Sequence, residues 1–192
     1  MDTDRLFEDL FAAELGREWG QVQLLSKKIL SSTPLKPWME GSARRCLAIS
    51  HLAFSMQKDD VTKQQLRQES VAEARRSIQA YERDASPNPV HLSRSYDALS
   101  NTLHMLAIAV DGTKLDVKAK LNREAATAAE KALQLNPGNK EAQENLKKAR
   151  ESEGVYAKAI KESSGGGGCL GIVVLIAALL GAMVPLAKAL IK

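Results

Sequence analysis

Large rings are scarce in this chain: aromatic residues make up 4% of its 192 positions, and proline and glycine gather at a few places instead of punctuating the whole. Ala, Leu, Gln, Glu, Lys and Arg dominate, the residues that lose least on entering a helix, so strands are not expected. Cysteine is limited to Cys46 and Cys169, which lie in unlike surroundings. Two such residues make neither a disulfide framework nor a zinc site, and they suit a reducing compartment. No long block of one charge occurs: 27 basic residues are interspersed with 23 acidic ones, for a formal net charge of +4. That balance speaks against a nucleic-acid partner and fits a position near an anionic membrane surface.

Catalytic patterns are missing as well. There is no G-x-S-x-G, no phosphate-cradling glycine loop and no H-E-x-x-H. His51, His91 and His104 have no ligand-spaced partner on their own segments and read as packing residues, so no metal, cofactor or catalytic group is assigned and an enzyme is not expected. Nor does the opening Met1-Asp2-Thr3-Asp4 have the pattern of a secretory leader, because Glu8, Asp9 and Glu14 interrupt the apolar residues after it. The expectation is an N-terminal domain that faces the cytosol.

What the chain does contain is a sharp change of character near Ser163. Three parts follow from it: a helical domain over 1–162, a Ser/Gly tether over 163–168 and an apolar end over 169–192. Residues 169–187 read CLGIVVLIAALLGAMVPLA without a charge. Roughly 20 apolar residues suffice to cross a bilayer as a helix, so this stretch is expected to be a single membrane anchor. Its lipid-facing side chains would be Leu170, Ile172, Val173, Leu175, Ile176, Leu179, Leu180, Val184 and Leu186. Lys188 and Lys192 would snorkel to the far headgroups. Cys169, where tether meets bilayer, is a candidate for S-palmitoylation. Lys147, Lys148, Arg150, Lys158 and Lys161 precede the run and outnumber the lysines after it, which favours a cytosolic N-terminal side. The competing reading is a buried core helix, which would need a larger host to cover every face. Span length does not choose the membrane: mitochondrial outer membrane or endoplasmic reticulum in a eukaryote, inner membrane in a bacterium.

Within the domain, apolar residues recur at three- and four-residue spacings, the helical period. Leu6, Leu10, Phe11 and Leu15 form one stripe, and after a break at Gly16 Trp19, Val22, Leu25 and Ile29 form a second. Pro34 and Pro37 end that helix and start a third, carrying Trp38, Ala43, Cys46, Leu47 and Phe54. A turn over 57–60 leads to a fourth over about 61–84. The run Ser86-Pro87-Asn88-Pro89 is a breaker with an N-cap. A fifth helix holds Leu92, Tyr96, Leu99, Leu103, Leu106 and Val110, and a sixth spans about 115–135. Asn136-Pro137-Gly138-Asn139 then turns the chain into a seventh, fading near Lys161. Short connections make consecutive helices antiparallel neighbours, in a solenoid or a bundle.

The segment EAATAAEKALQLNPGNKEAQENL, with Ala125, Ala129, Ala132 and Pro137, resembles the second helix of a tetratricopeptide repeat running into the terminal capping helix of that family. Tyr96-x-x-Leu99-Ser100-x-x-Leu103 is similar to the first helix of the same repeat, and Gly16-x-x-Trp19 with Leu30 and Pro34 resembles a first repeat more loosely. The three alanines on one face would let helices approach closely. The separation of Tyr96 from Pro137 exceeds the usual repeat and calls for long helices or a long turn near Asp111. The resemblance implies an all-α solenoid of about three antiparallel helix hairpins plus a capping helix. It also implies a concave face, lined by the first helix of each hairpin, that takes a protein or peptide. In that register Asp97, Asn101 and His104 face the groove with Arg94 at its rim, while Arg44 and Arg45 are placed to meet acidic groups. A solvated polar face is the alternative for each of them. Degenerate repeats followed by an anchor resemble the organisation of the mitochondrial fission adaptor and of the plant-type import receptor. That implies a membrane-bound adaptor or receptor whose partners are a protein and the bilayer. The rival reading is a structural component that oligomerises through its tail, although Gly171 and Gly181 are too widely spaced for a close-contact glycine motif.

Overall fold

The computed structural model describes residues 3–32 and 34–164. The expected anchor at 169–187, with Cys169, and the glycines at 165–168 lie outside the described residues, among which no helix is long and apolar enough to cross a membrane. The described residues hold seven α-helices and no strand. These are α1 (Thr3–Leu15), α2 (Trp19–Leu30), α3 (Pro37–Ser55), α4 (Asp60–Glu82), α5 (Pro89–Ala109), α6 (Leu115–Leu135) and α7 (Lys140–Ser164). All seven match a helix read from the sequence. The long separation between Tyr96 and Pro137 is taken up by helix: α5 and α6 have 21 residues each, and the link between them is short. At the far end α7 takes in Ser163 and Ser164, which the sequence assigns to the tether.

Local chemistry sets the boundaries. Pro37 opens α3 and Pro89 opens α5, where a missing N–H has no cost. Asp59 caps α4 by accepting from Thr62 N at 3.0 Å, and Asn88 caps α5 by accepting from Val90 N at 2.9 Å. Asn139 does the same for α7, accepting from Ala142 N at 3.1 Å. Between α1 and α2 the chain reverses through Arg17, which holds a φ of 56° in the left-handed region although Gly16 precedes it.

Each helix packs against the next, and α5 also touches both α3 and α7. At the first end α1 reaches α3 through Phe7, whose ring lies 5.3 Å from that of Trp38, and through Glu14, which meets Arg45. The odd-numbered helices therefore form one continuous layer. Among the described residues the even helices keep further apart, and α4 meets α6 through an exposed ion pair, Arg75 to Glu124 at 2.9 Å. A stack whose helices lie closer on one side curves toward that side, so the layer of α3, α5 and α7 is the inside of the curve.

The seams between layers are filled with small side chains. Ala43, Ala74, Ala80, Ala107, Ala125, Ala129, Ala132, Ala142 and Ala149 are all fully buried, the three alanines singled out in α6 among them. Buried serines tie neighbouring helices together. Ser70 donates to Ala48 O at 2.6 Å and Ser77 to Gly41 O at 2.7 Å, both from α4 to α3, while Ser93 donates to Ala132 O at 2.8 Å from α5 to α6. A helical carbonyl has a second lone pair, so these bonds add to the helix ladder without breaking it. Gly41 is the tightest point: a Cβ there would stand 2.5 Å from Cδ2 and Cε2 of Tyr81. That ring is 1% exposed and its hydroxyl is held 2.6 Å from Ser42 Oγ, so it has little room to yield.

Arg67 of α4 is 5% exposed and has no ion pair among the described residues. Its Nε donates to Ser55 Oγ at 3.2 Å and its Nη1 to Met105 O at 2.5 Å, the last residue of α3 and the last turns of α5. Neither helix has a basic residue in its own last turn. The guanidinium thus stands where the carbonyl ends of two helix dipoles meet, which offsets part of its burial.

Gly41→Ala is expected to lower stability by about 1–3 kcal/mol, since overpacking a closed seam forces backbone shifts. Thermal melts should show most of that loss vanishing when the same change is made in a Tyr81→Leu background; an equal loss in both backgrounds would contradict the clash. Arg17→Gly should stabilise by roughly 1 kcal/mol by removing the left-handed penalty, read as a higher urea midpoint.

Candidate functional site

The inner layer brings Arg45, Arg94, Asp97 and Asn101 to neighbouring positions and adds Glu14, Glu141, Asn145 and Lys148, which the sequence reading did not assign to the groove. Arg45 is 7% exposed and forms a two-pronged pair with Glu14, Nη1 to Oε1 at 2.5 Å and Nη2 to Oε2 at 2.7 Å. Burial works against the charged form of Glu14, but hydrogen bonding and charge from Arg45 outweigh it and hold the carboxyl below its usual range. Arg45 does meet an acidic group, and that group belongs to its own chain.

Asp97, three residues after the exposed Arg94, is 9% exposed and accepts a single hydrogen bond, from Asn145 Nδ2 of α7 at 2.9 Å. Burial pushes its carboxyl up to about 6, the Asn145 bond works the other way, and the charge of Glu141 adds to the rise. Arg45 and Lys148 oppose it without either forming an ion pair to it. Arg94 lies toward the α1–α3 side, where its charge helps lower Glu14. Asn101, half-buried, sits one turn beyond Asp97 on the same side of α5.

Two of the residues read into the groove lie elsewhere. Arg44 points into the α3–α4 seam, donating to Glu40 at 2.8 Å and Glu73 at 2.9 Å. It lines an open cleft of about 510 Å³ there with Glu40, Arg76, Gln79, Glu82 and Arg83. Glu73 also pairs with Arg76, and Glu40 with Arg83, so the arginines of this cleft are already matched by carboxylates. His104 is 7% exposed in the α5–α6 seam, its Nδ1 2.7 Å from Asn122 Oδ1. Because Asn122 Nδ2 donates to Lys118 O at 2.9 Å, its oxygen is the acceptor, and His104 donates from Nδ1. Burial lowers its pKa and keeps it neutral. No family model and no curated protein matches the chain. The residues themselves must therefore carry the functional argument.

Among the described residues no group of three or more His, Cys, Asp and Glu side chains is placed to hold a metal ion. Cys46 is buried, with its thiol pushed up to about 12 by burial, so it is a neutral packing residue at ordinary pH. His51 Nδ1 has no hydrogen-bond partner and stands 4.0 Å from Glu69, beyond bonding reach. The inner layer thus carries one buried carboxylate, Asp97, which accepts from the amide of Asn145, with the half-buried amide of Asn101 one turn along.

The folded-state pKa of Asp97 stands above its ordinary value, so the folded chain holds that proton more tightly than the unfolded one. The ionised form therefore costs stability above about 6, and the cost disappears as pH falls toward the ordinary aspartate value. Asp97→Asn should stabilise the fold near neutrality by up to about 3 kcal/mol, the equivalent of the pKa rise, and by little at acid pH. Urea unfolding across that range reads this out; a variant destabilised at neutral pH would show that the carboxylate strengthens the α5–α7 contact.

Proposed function

We propose that the chain is a membrane-anchored adaptor or receptor of tetratricopeptide type, which presents the inner layer of α3, α5 and α7 to a protein or peptide partner. The observation that carries this reading is the side-by-side packing of those helices, with Arg94, Asp97, Asn101 and Asn145 on the surface they share. Hairpins in sequence order, α1 with α2, α3 with α4 and α5 with α6, closed by α7, agree with repeats and a capping helix. The inner face of a helical solenoid is where a helix or an extended segment docks, and polar groups held by neighbouring helices set orientation at little entropic cost. The uncharged run at 169–187 supplies the anchor of this reading. Confinement to a bilayer raises the effective concentration of whatever is bound, which is the use of an adaptor.

Removing residues 165–192 tests both halves. The shortened chain should remain helical and monodisperse and still bind the partner, while the full chain should stay with vesicles through an alkaline carbonate wash. A shortened chain that unfolds or aggregates would make the tail part of the core, and a full chain stripped by the wash would remove the anchor. Crosslinking that depends on the tail and captures only further copies of the chain would favour the structural-component reading.

A further inference from the structure

We infer that the docking face selects a partner segment carrying a lysine or arginine side chain, whose cation seats against Asp97 between α5 and α7, flanked by Asn101 and Glu141. This rests on the docking reading above and assigns its charge preference. Cations of α3 and α7 already have carboxylates of this chain beside them. Arg45 is held by both oxygens of Glu14, Arg44 by Glu40 and Glu73 away from the face, and Lys148 lies 3.9 Å from Glu144 on its own helix. The exposed Arg94 adds its charge to those that lower Glu14. An acidic ligand would thus find the buried Arg45 already neutralised.

Asp97 is the converse case. It is nine-tenths buried, only one hydrogen bond reaches it among the described residues, and that bond comes from a neutral amide. Glu141 of α7 adds negative charge from the next helix, while Arg45 of α3 and Lys148 of α7 compensate only from a distance. A buried carboxylate left in this state gains from an arriving cation, since burial strengthens the attraction while the penalty for burying Asp97 is already present in the free protein. Asn101, a half-buried amide one turn along, offers a further acceptor to a guanidinium or ammonium group.

The test is a selection of short random displayed peptides on the full-length chain, followed by titration of the best peptide and its arginine-to-citrulline counterpart. Citrulline keeps the shape and removes the charge. Wild type should enrich lysine or arginine at one position and bind the charged peptide at least about tenfold more tightly than the citrulline form. Asp97→Asn should bind the two forms alike, and Asp97→Lys should shift the selected residue toward glutamate or aspartate. Acidic peptides selected by wild type, or a charge preference unchanged in Asp97→Asn, would overturn this inference and leave the docking reading standing. No enrichment by either protein would overturn both.

Discussion

The distance at which neighbouring helices meet governs this molecule. With few aromatic rings to fill space, its layers hold together by close approach, through Gly41 in α3, alanines in α4 and α6, and serines along the faces of α3, α4 and α5. Hydroxyls of Ser70, Ser77 and Ser93 bridge to carbonyls of the adjoining helix, possible only where backbones nearly touch. Ser26 and Ser100 are buried without any bond to their hydroxyls, which indicates that small volume matters there more than polarity. Close seams also set the curvature, and so bring α3, α5 and α7 together as one face.

Against that dry, tight background three of the buried charges are treated differently from one another. Arg45 receives a two-pronged carboxylate, the geometry that best offsets the desolvation of a guanidinium. Arg67 has no carboxylate partner among the described residues and relies on Ser55, the Met105 carbonyl and the ends of two helices. Asp97 has one amide. The first two are explained by what the fold gains from them: one ties α1 to α3, the other stands at the ends of α3 and α5. Asp97 ties α5 to α7 through that one neutral amide alone, a weaker compensation for the charge it brings inside.

The candidate site was only partly legible. Asp97 and Asn101 could be read because residues one turn apart share a side of α5, whatever the rest of the fold does. Arg44 and Arg45, adjacent in sequence, point about 100° apart on a helix, and nothing local says which of them meets α1 and which meets α4. Their partners Glu14 and Glu73 lie 31 and 29 residues away. Asn145 belongs to a segment whose apolar spacing announced a capping helix, with no sign that one of its polar residues would reach back to α5. His104 followed the register of its helix, but that register places it at the boundary between the open face and the α6 seam, and Asn122 draws it into the seam.

For the described residues the sequence by itself determined the number of helices, nearly all their limits and their order, since periodicity, prolines and capping residues act over a few positions and need no distant partner. It also determined that Ala125, Ala129 and Ala132 would be buried. Only the tertiary structure decided which helices share the inner layer, which charges neutralise one another and which are buried without a counter-charge. Those outcomes depend on crossing angles and on contacts between residues tens of positions apart, where a shift of one residue in packing register exchanges a buried partner for solvent.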